Sequence, residues 1–284
     1  MSLSIATWNI NSVRLRINNV KRYLRLRKPD VLCLQETKCP DDFFPHKAFE
    51  ALGYTHRLVQ GMKSYNGVAI LSKVPFTAKN IHHRCGKEDC RHIEVALDTG
   101  SDPILLDNLY MPAGGDIPDP AVNDKFAHKL DFYREMAEWF ADRKPKSGTA
   151  KGLRRIAVGD LNVAPLEHDV WSHKQLLKIV SHTPIEVELF GRLQASLDWM
   201  DVPRRFVPED QKLYSWWSYR NNDWRASNRG RRLDHILASP ALAGAIRSHR
   251  IDVAAREWKL ASRHVPGMAP VEVCREKHMS VGGF

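Results

Sequence analysis

The chain has 284 residues, of which 43% are hydrophobic and 27% are charged. This composition supplies enough apolar side chains for a folded core and excludes a disordered tail. The 43 Lys and Arg exceed the 33 Asp and Glu and give a formal net charge of +10, which favours polyanionic partners such as nucleic acid. No apolar run approaches the roughly 18 to 20 residues that span a bilayer, and no signal-peptide pattern opens the chain, so we expect a cytoplasmic protein with no membrane partner.

The cysteines are five in number and unevenly spread, which is typical of free thiols in a reducing compartment, and we expect no disulfide. Cys85 and Cys90 stand beside His82, His83 and His92, and zinc prefers such donors. Their spacing is not that of a zinc knuckle. We therefore interpret this segment as a polar loop, with a zinc site as the alternative.

Short apolar runs alternate with helical patterns and predict an α/β protein whose residues 1–284 form a single domain. The predicted strands are 5–8, 31–34, 67–71, 93–97, 104–109, 156–158 and 233–237. Several are continuously apolar, which indicates sheets covered on both faces. Apolar stripes predict two helices, one through Ile17, Val20 and Leu24 and a longer one through Phe126, Leu130, Tyr133, Ala137 and Phe140.

Polar side chains follow several of these strands and are succeeded by turn-forming residues. They are Asn9, Asn11, Glu36, Tyr110, Asp160 and Asn162. Because polar groups at strand ends project into a shared crevice in covered α/β sheets, we expect one convergent site. Alternation along a strand predicts that Asp160 and Asn162 point the same way, as do Asn9 and Asn11. Ordinary turn formation by Asn and Asp is the alternative at each single position.

The chemistry of this set suits a divalent cation and a phosphate. The carboxylates of Glu36, Asp160 and Asp234 are hard oxygen ligands of the kind that Mg²⁺ or Mn²⁺ prefers. Phosphodiester hydrolysis requires charge neutralisation, an activated water and stabilisation of the leaving oxygen. The carboxylates, amides and phenol cover all three needs.

A second informative stretch, 214–235, interleaves aromatic residues with arginines and asparagines. Such residues supply phosphate contacts and flat apolar surfaces for a sugar or an unstacked base. The alternative is a core tryptophan, Trp217, beside a solvated basic loop.

With these motifs in this order, the sequence resembles the exonuclease III family of abasic-site (AP) endonucleases, a branch of the endonuclease/exonuclease/phosphatase superfamily. The resemblance covers most of the chain and is carried by 6–12, 29–38, 67–71, 108–112, 159–162, 215–220 and 232–235. It implies a four-layer α/β sandwich of two packed mixed β-sheets flanked by helices. It also implies a monomer that uses Mg²⁺ or Mn²⁺ to cut double-stranded DNA 5′ to abasic sites, with 3′→5′ exonuclease and 3′-phosphatase activity on blocked 3′ ends.

The resemblance also implies a role for each matching residue. Glu36 would bind the metal with help from Asn9, while Asp160 and Asn162 would activate water and hold the phosphate. Tyr110 would lie beside the scissile phosphate, as a hydrogen-bond donor or as the group that meets the leaving oxygen. Asp234 would orient the catalytic histidine, His264. Trp216 would line the pocket for the base-free sugar and Arg91 would contact DNA. The full set of predicted DNA-binding residues is Asn11, Arg91, Trp216, Arg220, Asn228 and Arg229.

The carboxyl-terminal motif departs from the family pattern, Trp-x-x-Pro-Ser-Asp-His-x-Pro-Val. Here Arg263 replaces the acidic residue before His264, and we expect its charge to disfavour the metal and to lower the pKa of His264. A second register aligns 268–271 with the family's His-x-Pro-Val and removes the histidine. We prefer the first register because, without a gap, it retains Trp258, Ser262, His264 and Pro266. The tail after Gly267 has no counterpart in the pattern.

Two other functions stay open. One is a phosphodiesterase of the same superfamily that acts on a lipid head group or a small nucleotide. The other is a damaged-DNA-binding protein whose catalysis is impaired by Arg263.

Overall fold

The computed structural model describes residues 2–100, 102–145, 152–220 and 223–273. Residues 274–284 of the unmatched tail, which include Cys274, lie outside the described residues. The helices are α1 (Ile17–Arg27), α2 (His46–Glu50), α3 (Asp124–Ala141), α4 (His173–Leu176), α5 (Pro184–Ser196), α6 (Val202–Phe206) and α7 (Trp224–Ser227). The strands are β1 (Ser2–Asn9), β2 (Val31–Gln35), β3 (His56–Gln60), β4 (Val68–Ser72), β5 (Phe76–Arg84), β6 (Lys87–Leu97), β7 (Ile104–Tyr110), β8 (Arg155–Asp160), β9 (Met200–Asp201), β10 (Trp216–Trp217), β11 (Gly230–Arg231), β12 (Asp234–Ala238), β13 (Arg250–Ile251) and β14 (Gly267–Glu272).

The described strands build two six-stranded mixed sheets and a separate ribbon of β10 and β11. The first sheet has the order β13-β14-β1-β2-β4-β3, and the second has the order β5-β6-β7-β8-β12-β9. Each sheet contains one central parallel pair, β1 with β2 and β7 with β8, and its other pairs are antiparallel. The carboxyl ends of each parallel pair therefore meet at one edge of their sheet.

The sheets pack face to face and helices cover their outer faces. Apolar side chains from both sheets, such as Ile70 and Val158, form a core between them. The outer face of the second sheet packs against α3 through residues such as Phe132. The outer face of the first packs against α1 through Val20 and Leu24. This arrangement confirms the predicted four-layer α/β sandwich.

All seven predicted strands and both predicted helices are present. The interpretation of the Cys85 and Cys90 segment as a polar loop is wrong, because β5 and β6 form a hairpin there. In that hairpin the His82 ring packs against His92 and against Trp139 of α3, and Cys85 lies at the turn with a left-handed backbone. Within the described residues, no helix is long and apolar enough to cross a membrane.

Candidate active site

The predicted polar residues gather where the two parallel pairs end. Asn9 ends β1 and Glu36 follows β2, while Tyr110 ends β7 opposite Asp160, the last residue of β8. Asp234 begins the antiparallel strand β12 and pairs in register with Asp160. Because β1 packs against β8 across the core, one crevice receives side chains from both sheets.

Asn9 connects the two carboxylates of this crevice. Its Nδ2 donates to Glu36 Oε1 and to Asp160 Oδ2, each at 2.8 Å. Lys38 Nζ lies 2.8 Å from the other carboxylate oxygen of Glu36. Burial opposes ionisation of Glu36, but the Lys38 ammonium and the Asn9 amide outweigh it and lower the pKa of Glu36 to about 2. Glu36 is therefore an anion at neutral pH.

Strand alternation is not what orients the second residue of each predicted pair. The strands end at Asn9 and Asp160, and Asn11 and Asn162 have left-handed backbones with φ of 47° and 54°. The backbone N–H of Asn11 donates to Asn9 Oδ1 at 3.1 Å, and that of Asn162 donates to Asp160 Oδ1 at 3.0 Å. These are side-chain-to-backbone turns. Asn162 lines the central cavity, whereas Asn11 accepts a 2.6 Å hydrogen bond from Lys38.

His264 lies between two buried carboxylates. Its Nδ1 is 2.9 Å from Asp234 Oδ2, and its Nε2 is 3.6 Å from Asp160 Oδ2. Ser215 Oγ donates to the same oxygen of Asp234 at 2.7 Å and holds that carboxylate in place. Burial disfavours the imidazolium, but Asp234 and Asp160 outweigh it and raise the pKa of His264. The expectation that Arg263 lowers this pKa is wrong, because the two carboxylates control it.

Asp160 is the carboxylate most suited to accept a proton. Burial raises its pKa to about 7, with further increases from Asp234 and Glu36, although His264 and the Asn9 amide act in the opposite direction. Asp160 can therefore take up a proton near neutral pH.

Tyr110 faces this cluster as a neutral phenol. Burial and the negative charges of Glu36 and Asp160 raise the pKa of Tyr110 well above 10. The Arg91 guanidinium lies 4.8 Å from the Tyr110 ring centroid, and Arg91 Nη1 donates to the Tyr110 carbonyl at 3.2 Å. A phenol that keeps its proton can donate a hydrogen bond to a phosphate oxygen or to a leaving oxygen.

Sequence reasoning missed the buried ion pair beneath Asn162. Lys129 of α3 is fully buried, pairs with Glu186 of α5 and donates to the Asn162 carbonyl at 2.7 Å. The available signal was a lysine within the apolar stripe of α3, three residues after Phe126. This pair fixes the turn that places Asn162 in the cavity.

The cavity above these residues has a volume of about 640 Å³. Glu36, Tyr110, Asp160, Asn162 and His264 line its polar side. The predicted DNA-binding residues Trp216, Arg220 and Arg229 line its other walls, and the Arg229 guanidinium lies 4.7 Å from the Trp171 ring centroid.

Two residues of the 214–235 stretch, Asn228 and Trp217, lie away from the main cavity. Asn228 is exposed beside a second cavity of about 370 Å³, and its Oδ1 accepts a 3.1 Å hydrogen bond from Trp217 Nε1. Trp217 is buried against Tyr214, as the core alternative predicts.

The register that retains His264 agrees with the structure. The competing segment 268–271 belongs to β14, which pairs with β1. Arg263 lines the main cavity between two fixed neighbours: Ser262 Oγ donates to the Asn9 carbonyl at 2.8 Å, and His264 bonds to Asp234. The Arg263 guanidinium is 5.5 Å from the Tyr219 ring centroid. The charged end of Arg263 therefore lies near Tyr219, to one side of the carboxylate cluster.

The residues present fit a divalent cation. Glu36, Asp160 and His264 each offer a ligand atom, and these atoms lie within 4.8 Å of one another. Among the described residues, His264 is the basic side chain that pairs with Asp160. A bound cation would add a second positive charge beside Asp160 and favour its ionised form. The carboxylate oxygens suit Mg²⁺ or Mn²⁺ better than zinc.

Comparisons with known proteins agree with this geometry. The chain is 29% identical to exodeoxyribonuclease III of Haemophilus influenzae, with 93% of this chain and 98% of that protein covered. It is also 29% identical to the DNA repair nuclease APEX1 of Danio rerio, with 93% and 81% covered. Two solved structures superpose over 95% of this chain and 100% of theirs. These are an AP endonuclease from Archaeoglobus fulgidus (TM-score 0.85, 30% identity) and the 3′-5′ exonuclease NExo from Neisseria meningitidis (TM-score 0.84, 28% identity). A model of the Endonuclease/Exonuclease/phosphatase family matches residues 6–264, and the chain belongs to that family.

Proposed function

We propose that this protein is a metal-dependent DNA-repair nuclease that cuts the backbone 5′ to abasic sites and removes blocking groups from 3′ ends. The observation that carries the proposal is the convergence of Glu36, Asp160 and His264 with a neutral Tyr110 in one cavity. These groups supply a metal ligand, a proton acceptor and hydrogen-bond donors for the phosphate. The relatives whose names specify DNA repair or AP endonuclease support the choice of substrate.

The side chains divide the work of hydrolysis. Asp160, which accepts a hydrogen bond from Asn9 and lies 3.6 Å from His264 Nε2, accepts the proton of the attacking water. His264, held by Asp234 at Nδ1, lines the cavity and would donate to the phosphate from Nε2, the nitrogen on the Asp160 side of the ring. The Tyr110 hydroxyl donates to a phosphate oxygen or to the leaving oxygen. Asn162 Nδ2 donates one hydrogen to the Met111 carbonyl at 2.8 Å, and its second amide hydrogen would serve the same group.

Glu36 would hold the divalent cation at the carboxylate oxygen that accepts the Asn9 hydrogen bond. Bound there, the cation would neutralise charge on the phosphate. Asn9 keeps the two carboxylates together through its shared hydrogen bonds, so it acts as a positioning residue.

The substrate pocket has the character of a site for an unpaired sugar. Trp216 and Leu233 give it apolar surface, while Arg220 and Arg229 face backbone phosphates at its rim. The formal charge of +10 favours long-range attraction of DNA. The aromatic and basic lining of the pocket, together with the net charge, favours DNA over a lipid head group or a small nucleotide.

The test is cleavage of an end-labelled duplex that carries one abasic analogue, with Mg²⁺ or with chelator, by the unaltered chain, Asp160→Asn and Arg263→Asp. We expect metal-dependent cutting 5′ to the analogue, reduced about 10²- to 10⁴-fold in Asp160→Asn. Conversion of a 3′-phosphate end to a 3′-hydroxyl is measured in parallel.

Binding without cutting by the unaltered chain, together with cutting by Arg263→Asp, would establish the impaired DNA-binding protein instead. Hydrolysis of small phosphodiesters with no action on the duplex would establish the non-DNA phosphodiesterase.

A further inference from the structure

A group of arginines surrounds Tyr219 at the edge of the main cavity. Arg16 is 7% exposed and Arg256 is 8% exposed, and Arg263 is half-buried. The guanidinium carbons of Arg256 and Arg263 lie 5.0 and 5.5 Å from the Tyr219 ring centroid. Arg16 Nη2 donates to the Tyr219 hydroxyl at 3.0 Å. We call Arg16, Arg256 and Arg263 the Tyr219 arginine cluster.

The cluster contains no counter-ion among the described residues. Arg16 directs its donors to neutral oxygens, namely the carbonyls of Leu260 and Asn11 and the Tyr219 hydroxyl. The charges that act on Arg256 are those of Arg263 and Arg16, and no carboxylate is among them. Three like charges therefore lie together without neutralisation.

Two members also have buried donors without an acceptor. The Nε atoms of Arg256 and Arg263 are buried and make no hydrogen bond. Burial of an unpaired guanidinium is costly unless a ligand supplies charge and acceptor atoms. Burial and the neighbouring Arg263 and Arg16 lower the pKa of Arg256, which shows the same repulsion.

The local structure holds these charges in place. The Tyr219 hydroxyl donates to the Ala261 carbonyl at 2.6 Å, and Arg16 Nε donates to the Leu260 carbonyl at 2.8 Å. Arg263 lines the same cavity as His264, its neighbour in the chain. Tyr219 and Arg16 are therefore fixed to the 260–261 segment, and Arg263 lies beside the site where the scissile phosphate is proposed to bind.

We propose that the Tyr219 arginine cluster binds a backbone phosphate of the DNA strand, separate from the phosphate that is cut. Several guanidinium groups match the oxygens of a phosphate, which accept charge-assisted hydrogen bonds. Arg263 then serves as a substrate-binding residue in place of an acidic one. This inference rests on the proposed function because it takes DNA as the ligand.

The experiment measures binding of a duplex with one abasic analogue in chelator, so that no strand is cut. Arg256→Met and Arg263→Met are compared with Arg134→Met, a matched control whose arginine is exposed on α3 and pairs with Asp131. We expect each cluster variant to bind about tenfold more weakly. The salt dependence, the slope of log K against log salt, should become shallower by about 0.9 for each phosphate that the variant no longer neutralises. The control should match the unaltered chain.

A second measurement locates the phosphate. Single uncharged methylphosphonates are placed at successive positions of the strand. At one position we expect the substitution to weaken binding by the unaltered chain and by Arg134→Met, but to have no further effect on Arg256→Met or Arg263→Met. Arg256→Lys, which keeps the charge, should retain part of the affinity, and thermal melting checks that each variant is folded.

The results separate this inference from the proposed function. Equal methylphosphonate effects in the cluster variants and the unaltered chain, or unchanged salt slopes, would overturn the phosphate site even if the unaltered chain cuts abasic DNA. Position-specific effects with no cleavage by the unaltered chain would support the phosphate site and overturn the nuclease.

Discussion

The buried charge network between β7 and β8 gives a stability prediction that can be worked from its contacts. Asp107 is fully buried and accepts hydrogen bonds from Arg155 Nε at 2.6 Å, from Arg155 Nη2 at 2.8 Å and from His92 Nε2 at 2.9 Å. Arg155 is also paired with Glu94. The same two strands end in Tyr110 and Asp160, so this network supports the active site.

We predict that Asp107→Asn lowers the free energy of unfolding by about 3 kcal/mol at pH 7. Removal of one partner of a buried ion pair costs about 3 to 5 kcal/mol because the other charge is left uncompensated. The lower end applies here because Glu94 still neutralises Arg155. The control is Asp131→Asn, whose exposed carboxylate pairs with Arg134 and should contribute about 0.5 kcal/mol or less.

The pH dependence of this difference has a definite sign. Burial opposes ionisation of Asp107, but Arg155 and His92 outweigh it and lower its pKa below the ordinary value of 3.8. The unfolded chain therefore binds this proton before the folded chain does, and the stabilisation is present above about pH 3.8 and lost as the pH falls further. The stability gap between the unaltered chain and Asp107→Asn should thus narrow in acid.

Urea unfolding between pH 3 and pH 7 measures both effects. A loss below about 1 kcal/mol at pH 7 would refute the assignment of Asp107 as a strongly coupled buried charge. A gap that stays constant down to pH 3 would refute the lowered pKa.

Three further changes test the supports of the site. Gly159→Ala should destabilise the fold by several kcal/mol in urea unfolding, because φ is 146° and a Cβ would lie 1.9 Å from a carbonyl oxygen of β7. Lys129→Met should cost about 3 kcal/mol or more, because it leaves Glu186 buried without its partner, and activity should fall as well. Asp234→Asn should lower kcat for abasic cleavage about 10²-fold or more with little change in KM, because it releases His264. An unchanged kcat in Asp234→Asn would show that Asp234 does not position His264 for catalysis.

The central strands could be predicted from sequence because burial on both faces makes them continuously apolar. The strands that sequence missed lack that signal. β5 lies at a sheet edge and is mostly exposed, so its residues are polar. β14 contains Gly267 and Pro270, which resemble a loop. Pro270 is tolerated because it pairs with Ser4 of β1 while the two-residue pairing with β13 ends at Met268.

The site shows the same division. Residues at the ends of neighbouring strands could be predicted to converge, since topology brings strand ends together. The contacts of Lys129 with Glu186 and of Arg256 with Tyr219 join elements that are distant in sequence and carry no shared pattern. Only the packed structure places them.

Arg263 shows why a substitution within a motif must be interpreted from the direction of its side chain. From sequence, a cation beside His264 predicts repulsion of a metal and a lowered histidine pKa. In the folded chain, the carboxylates of Asp234 and Asp160 lie closest to the imidazole and raise that pKa, while the guanidinium lies near Tyr219. Because a Coulomb interaction depends on distance and on the surrounding medium, adjacency in the chain does not fix its strength. The same charge that would oppose a metal at one distance is positioned to attract a DNA phosphate at another.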